Sequence, residues 1–147
     1  MRVDAYGSDA VTQTAYFAYS GYIKQRKCIG GTWGEWEWVN PRMLLGVEYR
    51  TTEMWNGRPV YTELISLGAL PNATTKIINT GIQISSGRVI SFHTIASNVT
   101  SCIDCSQYNN ITALYVYNES DYINILIGTD ADLTDFGGYT LLKYYKD

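Results

Sequence analysis

The chain has 147 residues, enough to bury the core of one domain with a short additional segment. Its 11 basic and 14 acidic residues give a net charge of -3, so it lacks the clustered positive charge that nucleic-acid binding requires. Charged residues make up only 17%, and 13 tyrosines accompany many Thr, Ser, Asn and Gly residues, which is typical of a β-rich surface and not of a helical enzyme.

The amino terminus lacks the apolar stretch that defines a secretory signal peptide. No uninterrupted apolar run elsewhere approaches the roughly 20 residues that a transmembrane helix needs. We therefore expect neither secretion by a signal peptide nor insertion into a membrane.

Runs of β-branched and aromatic residues recur along the chain, separated about every ten residues by Gly, Asn, Asp or Pro. Helical periodicity is hard to find. The pattern therefore predicts an all-β protein, built as an antiparallel sandwich or barrel. The predicted strands are 12–18, 22–28, 59–67, 74–79, 89–96, 111–117, 123–128 and 139–145.

Three short segments are predicted to form turns or boundaries. Asn56 and Gly57 predict a tight hairpin, because both residue types tolerate the positive φ angles of a type I′ turn. Residues 29–32, with two central glycines, predict a second turn. Asn40 precedes Pro41 and is therefore pushed out of the α region. We place a boundary near residue 40 on this basis.

All four tryptophans lie within residues 31–72. The region contains a Gly-x-Trp-x-x-Trp element at Gly31, Trp33 and Trp36, followed by residues 46–53, Trp55, Gly57 and residues 59–61. With these positions, about residues 12–85 resemble the carboxyl-terminal receptor-binding region of tail-fibre proteins from phages and prophages of Gram-positive bacteria. Arg42 departs from the family pattern, which often has a second proline there.

The resemblance implies an antiparallel, jelly-roll-like β-sandwich that forms a fibre head. Residues 1–40 would be a knob-like or stalk-connecting β segment, and residues 41–147 would be the head. The protein would fold in the host cytoplasm and act at the tip of the virion tail fibre. It would assemble as a parallel homotrimer and attach to an upstream fibre or baseplate protein.

The function implied by the resemblance is recognition of a host cell surface without enzymatic activity. The partner would be a bacterial cell-surface polysaccharide or another envelope receptor. Two alternatives stay open. One is a structural domain that trimerises and caps the fibre without touching the receptor, and the other is a glycan depolymerase.

Trp33, Trp36 and Trp38 form a cluster with two interpretations. Exposed indole rings can bind the apolar faces of sugar rings, so the cluster could be a carbohydrate site. Large aromatic side chains nevertheless stabilise proteins mostly by being buried. Because Trp33 and Trp36 match positions that pack a small core in the resembled family, we favour packing and expect both to be largely buried.

Residues 108–122 lie beyond the family-like region and combine tyrosine with Asn, Asp and Ser at predicted strand ends and loops. Tyrosine offers a large rigid face, and short polar side chains offer adaptable hydrogen bonds, a combination found in many recognition loops. Core tyrosines within ordinary loops are the alternative interpretation. The predicted receptor contacts are Tyr108, Asn110, Tyr117, Asn118, Asp121 and Tyr122, with Trp55 as an additional candidate.

Cys102 and Cys105 have the spacing of a zinc knuckle, and His93 is a third potential ligand. Structural zinc needs four ligands, and the fourth would have to be Cys28 from a different predicted segment. We therefore expect no bound metal, no other cofactor, and no disulfide between Cys102 and Cys105.

Asp130, Asp132 and Asp135 could supply the two carboxyl groups of a glycoside hydrolase. Closely spaced aspartates more commonly form solvated turns, because Asp accepts hydrogen bonds from its own backbone. Nothing resembling a nucleophile elbow surrounds any serine. We therefore expect no catalytic residues.

Overall fold

The computed structural model describes residues 1–5, 7, 9–83 and 88–146, and every regular element in these ranges is a β-strand. The predicted all-β class is therefore confirmed. In the same ranges, no helix is long and apolar enough to cross a membrane. The strands are β1 (Arg2–Ala5), β2 (Ala10–Phe17), β3 (Tyr22–Ile29), β4 (Thr32–Trp33), β5 (Glu37–Trp38), β6 (Tyr49–Trp55), β7 (Arg58–Ala69), β8 (Thr75–Gln83), β9 (Arg88–Ser97), β10 (Cys102–Asp104), β11 (Ile111–Glu119), β12 (Tyr122–Thr129) and β13 (Gly137–Tyr145).

Ten of these strands belong to one large sheet in the order β1, β2, β3, β5, β6, β7, β13, β9 and β10, with β4 paired to β3. The other three form a small sheet in the order β11, β12 and β8. Neighbouring strands run antiparallel, except that β5 and β6 are joined by a parallel bridge between Trp38 and Thr51.

The small sheet packs against the part of the large sheet formed by β7, β9 and β13, which confirms the predicted antiparallel sandwich. Leu67 and Leu142 come from the large sheet and are almost fully enclosed. Ile123, Ile125 and Ile127 come from β12 and are fully buried. They alternate along the strand because successive side chains point to opposite faces of a sheet.

The amino-terminal strands have little core of their own. Among the described residues before Tyr49, only Thr14 and Cys28 are buried. Trp38 joins these strands to the rest of the protein by packing edge-on against Tyr22 and Tyr49, with ring centroids 6.1 and 5.4 Å away. The predicted boundary near residue 40 falls in the connection between β5 and β6 and stays a prediction, because the large sheet continues across it.

All eight predicted strands are present, with ends that differ by a few residues. Five strands were missed: β1, β4, β5, β6 and β10. The longest of them, β6, lacks apolar alternation because one of its buried residues is Thr51. The Thr51 hydroxyl donates a hydrogen bond to the Val60 carbonyl 3.0 Å away. The predicted hairpin turn is confirmed, since Asn56 and Gly57 have φ angles of 48° and 78° between the paired residues Trp55 and Arg58.

The two faces of the small sheet predict very different responses to the same substitution. Ile125 is fully buried, whereas Ile77 is 59% exposed on the neighbouring strand β8. We expect Ile125→Ala to lower the free energy of unfolding by about 2–5 kcal/mol, because it leaves a cavity in the core. Ile77→Ala, the matched control, should change it by less than about 1 kcal/mol. Urea unfolding measures both, and equal losses would contradict this account of the core.

Candidate functional site

A glycine turn places Trp33 beside β3. Gly30 and Gly31 have φ angles of 56° and 79°, a left-handed conformation that costs glycine little. The turn pairs Ile29 with Thr32 and lays Trp33 opposite Cys28. The predicted turn at residues 29–32 is therefore confirmed.

The side chain of Arg26 lies against two of the indole rings. Its guanidinium carbon is 4.4 Å from the ring centre of Trp33 and 4.8 Å from that of Trp36. The Arg26 Nε atom also donates a hydrogen bond of 2.9 Å to Gln13 Oε1 on β2. Cation–π contact and this hydrogen bond together fix the orientation of both rings.

The expectation that Trp33 is largely buried is wrong, because its side chain is 40% exposed. Trp36 and Trp38 are half-buried. The reason is that β4 is a two-residue strand that pairs only with β3 in the amino-terminal part of the large sheet, where few residues are buried. Trp33 therefore packs on Arg26 and presents the remainder of its surface to solvent.

An open groove of about 470 Å³ lies beside Trp33. Its walls are mainly apolar and include Trp33, Ile29 and Met54, of which Ile29 is 70% and Met54 is 54% exposed. Grooves of this kind, with apolar walls and a few polar groups, are the usual form of small-ligand sites. The full lining consists of Lys27, Ile29, Thr32, Trp33, Gly34, Glu35, Glu37, Arg50 and Met54.

Charged side chains occupy part of the groove wall. The Arg50 guanidinium contacts Glu37 Oε1 through Nε at 3.0 Å and through a terminal nitrogen at 2.9 Å. Its other terminal nitrogen lies 3.6 Å from Glu35 Oε2, which is a looser ionic contact. Arg50 and Glu37 thus form a tight pair that links β6 to the neighbouring strand β5 in the groove wall.

Four of the sequence-predicted site residues meet at the hairpin between β11 and β12. Tyr117, Asn118 and Tyr122 lie on its strands, and Asp121 lies in its turn. The turn residues Ser120 and Asp121 have φ angles of 52° and 66°. Such angles are strained for residues other than glycine. These four residues therefore lie near one strained turn, with Tyr117 and Asn118 on opposite faces of the strand.

The other three predicted site residues lie elsewhere. Tyr108 and Asn110 precede β11, about 30 Å from the hairpin turn if nine residues rise 3.3 Å each. Tyr108 packs against the hydrophobic core, so part of its surface is structural. Trp55 is 47% exposed in the hairpin between β6 and β7. The structure does not bring the predicted residues together into one site.

The larger groove side chains that the sequence did not point to are Lys27, Ile29, Glu35, Glu37, Arg50 and Met54. One available signal was the alternation of acidic and aromatic residues at positions 35–38, which places a carboxylate next to Trp36 and Trp38. The ion pair between Arg50 and Glu37 joins residues 13 positions apart, so no local sequence pattern predicts it.

The cysteines do not form a metal site with His93. Cys102 is exposed on β10, whereas Cys105 is buried in the core. Burial, with the nearby charges of Asp104 and Cys102, raises the pKa of the Cys105 thiol to about 11, which disfavours the thiolate needed by zinc. All three cysteines are free thiols. In the described ranges, no group of three or more His, Cys, Asp or Glu side chains could hold a metal ion.

The aspartates of residues 130–135 form a turn. Asp132 Oδ1 accepts hydrogen bonds from the Thr134 hydroxyl at 2.7 Å and from the Thr134 backbone nitrogen at 3.1 Å. These bonds hold the pKa of Asp132 below its ordinary value. Asp130 and Asp135 are exposed. The arrangement is the one expected of acidic residues in a solvated turn.

A different pair of carboxylates meets around Tyr144. The fully buried Tyr144 hydroxyl donates to Glu48 Oε2 and lies 3.4 Å from Glu63 Oε2. Lys146 Nζ lies 2.6 Å from the same Glu48 oxygen. Burial, and secondly the negative charge of Glu48, raises the pKa of Glu63. Glu48, Glu63 and Lys146 line another open cavity of about 390 Å³, together with Thr80, Gly81, Ile82 and Gln83.

Comparison with known proteins gives distant structural matches. No protein-family model and no curated protein matches the chain. Three solved structures are similar over 95–97% of this chain. The first comprises carboxyl-terminal residues 323–701 of the P. aeruginosa R1 pyocin fibre, with 11% sequence identity, a TM-score of 0.37 and 56% of that chain covered. The second is an N-truncated R2-type pyocin tail fibre, with 9% identity, a TM-score of 0.32 and 80% of that chain covered. The third comprises carboxyl-terminal residues 323–691 of the P. aeruginosa R2 pyocin fibre, with 9% identity, a TM-score of 0.33 and 54% of that chain covered.

The chain therefore spans about half the length of two of these fibre fragments. With TM-scores of 0.32 to 0.37, the matches assign the chain neither a family nor a ligand.

The raised pKa of Glu63 predicts how stability depends on pH. Between the ordinary value of 4.5 and the raised value, the folded state holds more protons on this carboxyl than the unfolded state. The contribution of the Glu63 carboxyl to the free energy of unfolding is therefore greatest below pH 4.5, and it is lost as the pH rises through the folded-state pKa. We expect the wild type to lose stability relative to Glu63→Gln between pH 4 and about pH 7. Urea unfolding of both proteins across this range measures the difference, and a constant difference would contradict the assignment.

Proposed function

We propose that the chain is the tip module of a phage-type tail fibre and attaches the particle to a bacterium by binding an envelope glycan. The sequence resemblance over about residues 12–85 supports the fibre role. The observation that carries glycan binding is the groove beside Trp33, because it lies inside the family-like region and joins a half-exposed indole to polar side chains.

The chemistry of the groove suits a sugar. An indole ring can stack on the apolar face of a pyranose, and polar groups at the rim can bond its hydroxyls. Arg26 already holds Trp33 from the side of β3, so the ring loses little freedom when a ligand binds. A volume of about 470 Å³ lies within the range of small-ligand sites.

We further propose that the module binds its glycan without cleaving it. A glycan depolymerase is the second candidate, favoured by one observation, namely that Glu63 has a raised pKa beside Glu48. Both carboxylates are close to the buried Tyr144 hydroxyl, and Glu48 is paired with Lys146. We therefore assign them a structural role. Release of reducing sugar from bacterial envelopes, abolished by Glu63→Gln, would establish the depolymerase instead.

A homotrimer attached to an upstream fibre or baseplate protein is part of the same proposal and is supported by the sequence resemblance. The surface that we assign to the trimer is the outer face of the large sheet. There Tyr139 and Ile95 are direct cross-strand partners and are 37% and 38% exposed. Contact between copies would cover these side chains, and three grooves on one tip would convert weak binding into firm attachment.

Adsorption to cells tests the placement of the site. We expect Trp33→Ala to reduce adsorption by about tenfold or more, the effect of losing an aromatic hot spot of about 1.4 kcal/mol or above. Its thermal midpoint should change little compared with Ile125→Ala, because Trp33 is 40% exposed. The measurement is depletion of labelled protein by a panel of Gram-positive and Gram-negative bacteria.

Tyr122→Ala is the matched control from the other candidate surface. Loss of adsorption in this variant alone would place the receptor site at the hairpin between β11 and β12. Normal adsorption by both variants would instead support a structural domain that caps the fibre without touching the receptor.

Substitutions on the outer face of the large sheet test the trimer. We expect the wild type to have three times the mass of one chain, and Tyr139→Glu to give monomers, because a charge in a packed apolar contact is costly. Tyr115→Glu, at a position that is 60% exposed on the outer face of the small sheet, should leave the trimer intact. Multi-angle light scattering measures all three masses. A monomeric wild type at micromolar concentration would refute the proposal.

A further inference from the structure

On one face of β3, the basic side chains contact aromatic rings instead of carboxylates. Lys24 and Arg26 are two positions apart on this strand, so they share a face and lie about 7 Å apart. The Lys24 Nζ atom is 4.2 Å from the ring centre of Trp38. The Arg26 guanidinium lies 4.4 Å and 4.8 Å from the ring centres of Trp33 and Trp36.

Arg42 extends this arrangement beyond Lys24. Its guanidinium carbon is 4.9 Å from the ring centre of Tyr22, which precedes Lys24 by two positions and shares its face of β3. Trp38 contacts Tyr22 edge-on at 6.1 Å, so the rings join the basic side chains to one another. Arg26, Lys24 and Arg42 together are called the cationic row.

The strands β1 to β5 place no acidic residue on the face of the cationic row. Their two acidic residues are Asp4 and Glu37, which pair directly with Thr12 and Gln25 and therefore lie on the opposite face. The three cations form no salt bridge with any described residue. Three positive charges thus remain unneutralised on one face of a protein whose net charge is -3.

The charged atoms of the cationic row reach the solvent. Lys24 Nζ and the terminal nitrogens of Arg26 make no hydrogen bond within the described part of the chain. Both residues are half-buried, and among such described residues every buried side-chain nitrogen has a partner, so these nitrogens are accessible. Arg42 is exposed. The cationic row therefore offers hydrogen-bond donors as well as positive charge.

The aromatic rings make these cations better binding groups. A ring attracts a cation without neutralising its charge, and its apolar surface excludes water that would otherwise screen an ionic contact. The contacts with the rings also hold the long side chains of Lys24 and Arg26 in place. A ligand would therefore immobilise these side chains at little further cost in entropy.

We propose that the cationic row binds an acidic polymer whose successive units each carry a phosphate or carboxylate group. The oxyanions of neighbouring units pair with Arg26, Lys24 and Arg42, and a planar guanidinium group can bond two oxygens of one oxyanion. A polymer fits better than a free anion, because three unneutralised cations follow one another along the face. The site lies on the opposite face of β3 from Lys27 and Ile29 of the groove, so it goes beyond the proposed function.

Isothermal titration calorimetry in a low-salt buffer tests this inference with four probes. They are long-chain polyphosphate, polygalacturonate, neutral dextran and oligothymidylate. We expect polyphosphate or polygalacturonate to bind most tightly, and the tighter of the two identifies the oxyanion as phosphate or carboxylate. The affinity should fall as salt is added, because pairing of the polymer charges releases counterions. The affinity for dextran should be the same in the wild type and in every variant of the cationic row.

Two double variants that remove equal charge locate the site. Lys24→Gln with Arg42→Gln should weaken binding of the acidic polymer about tenfold, since each exposed ionic contact contributes about two- to fivefold. Lys27→Gln with Arg88→Gln is the matched control, because Lys27 lies on the opposite face of β3 and Arg88 lies on β9. It should weaken binding less than about threefold, through loss of long-range attraction alone. Arg26 is retained in both variants because it also orients two indole rings.

Thermal midpoints show whether both double variants fold. If Lys24→Gln with Arg42→Gln loses stability, the single variant Arg42→Gln replaces it, because Arg42 is exposed. The single variant should still weaken binding about two- to fivefold.

The outcomes separate this inference from the attachment function. Failure of both acidic polymers to bind, or equal weakening by the two double variants, would overturn it. Tighter binding of oligothymidylate than of either acidic polymer would replace it with a nucleic-acid surface. The attachment function is judged by the adsorption of Trp33→Ala to cells. Its failure would leave the acidic-polymer site in place, and loss of the acidic-polymer site would leave the attachment function in place.

Discussion

The groove depends on the packing of Trp38 between Tyr22 and Tyr49. The amino-terminal strands bury almost nothing among themselves, so their position is set where β5 meets β6. That junction has a single parallel backbone bridge, the edge-on contacts of Trp38, and the pairing of Arg50 with Glu37. Because one wall of the groove comes from β3 and β4 and the other from β6, the groove exists only while this junction holds.

The sandwich could be predicted from sequence because its strands are defined by local composition. Ile123, Ile125 and Ile127 alternate in the way a buried strand requires, and Asn56–Gly57 identifies its hairpin without reference to anything distant. Strand β6 had no such pattern, because the buried Thr51 stands where an apolar residue would be expected. Its hydroxyl can be buried because it donates a hydrogen bond to the Val60 carbonyl. The turn at residues 56–57 was predicted, but no strand was predicted before it.

The candidate site was predictable only in part. Composition pointed to tyrosines and short polar residues, four of which lie around one hairpin, but it could not show that Tyr108 packs on the core at the far end of the strand. The exposure of Trp33 could not be predicted from the sequence either, because it depends on which strands of the large sheet are left without a covering layer. Long-range pairs such as Arg50 with Glu37, 13 positions apart, lie in the groove wall and cannot be recognised from local sequence patterns.

The thin core of the amino-terminal strands also bears on hydrogen exchange. Segments with few buried side chains open locally at a lower free energy than global unfolding requires, so amides of β2 and β3 should exchange faster than those of β12. A ligand that filled the groove would contact both sides of the junction and would require it to be closed. Occupancy would therefore slow exchange across all the amino-terminal strands, including those that the ligand does not touch.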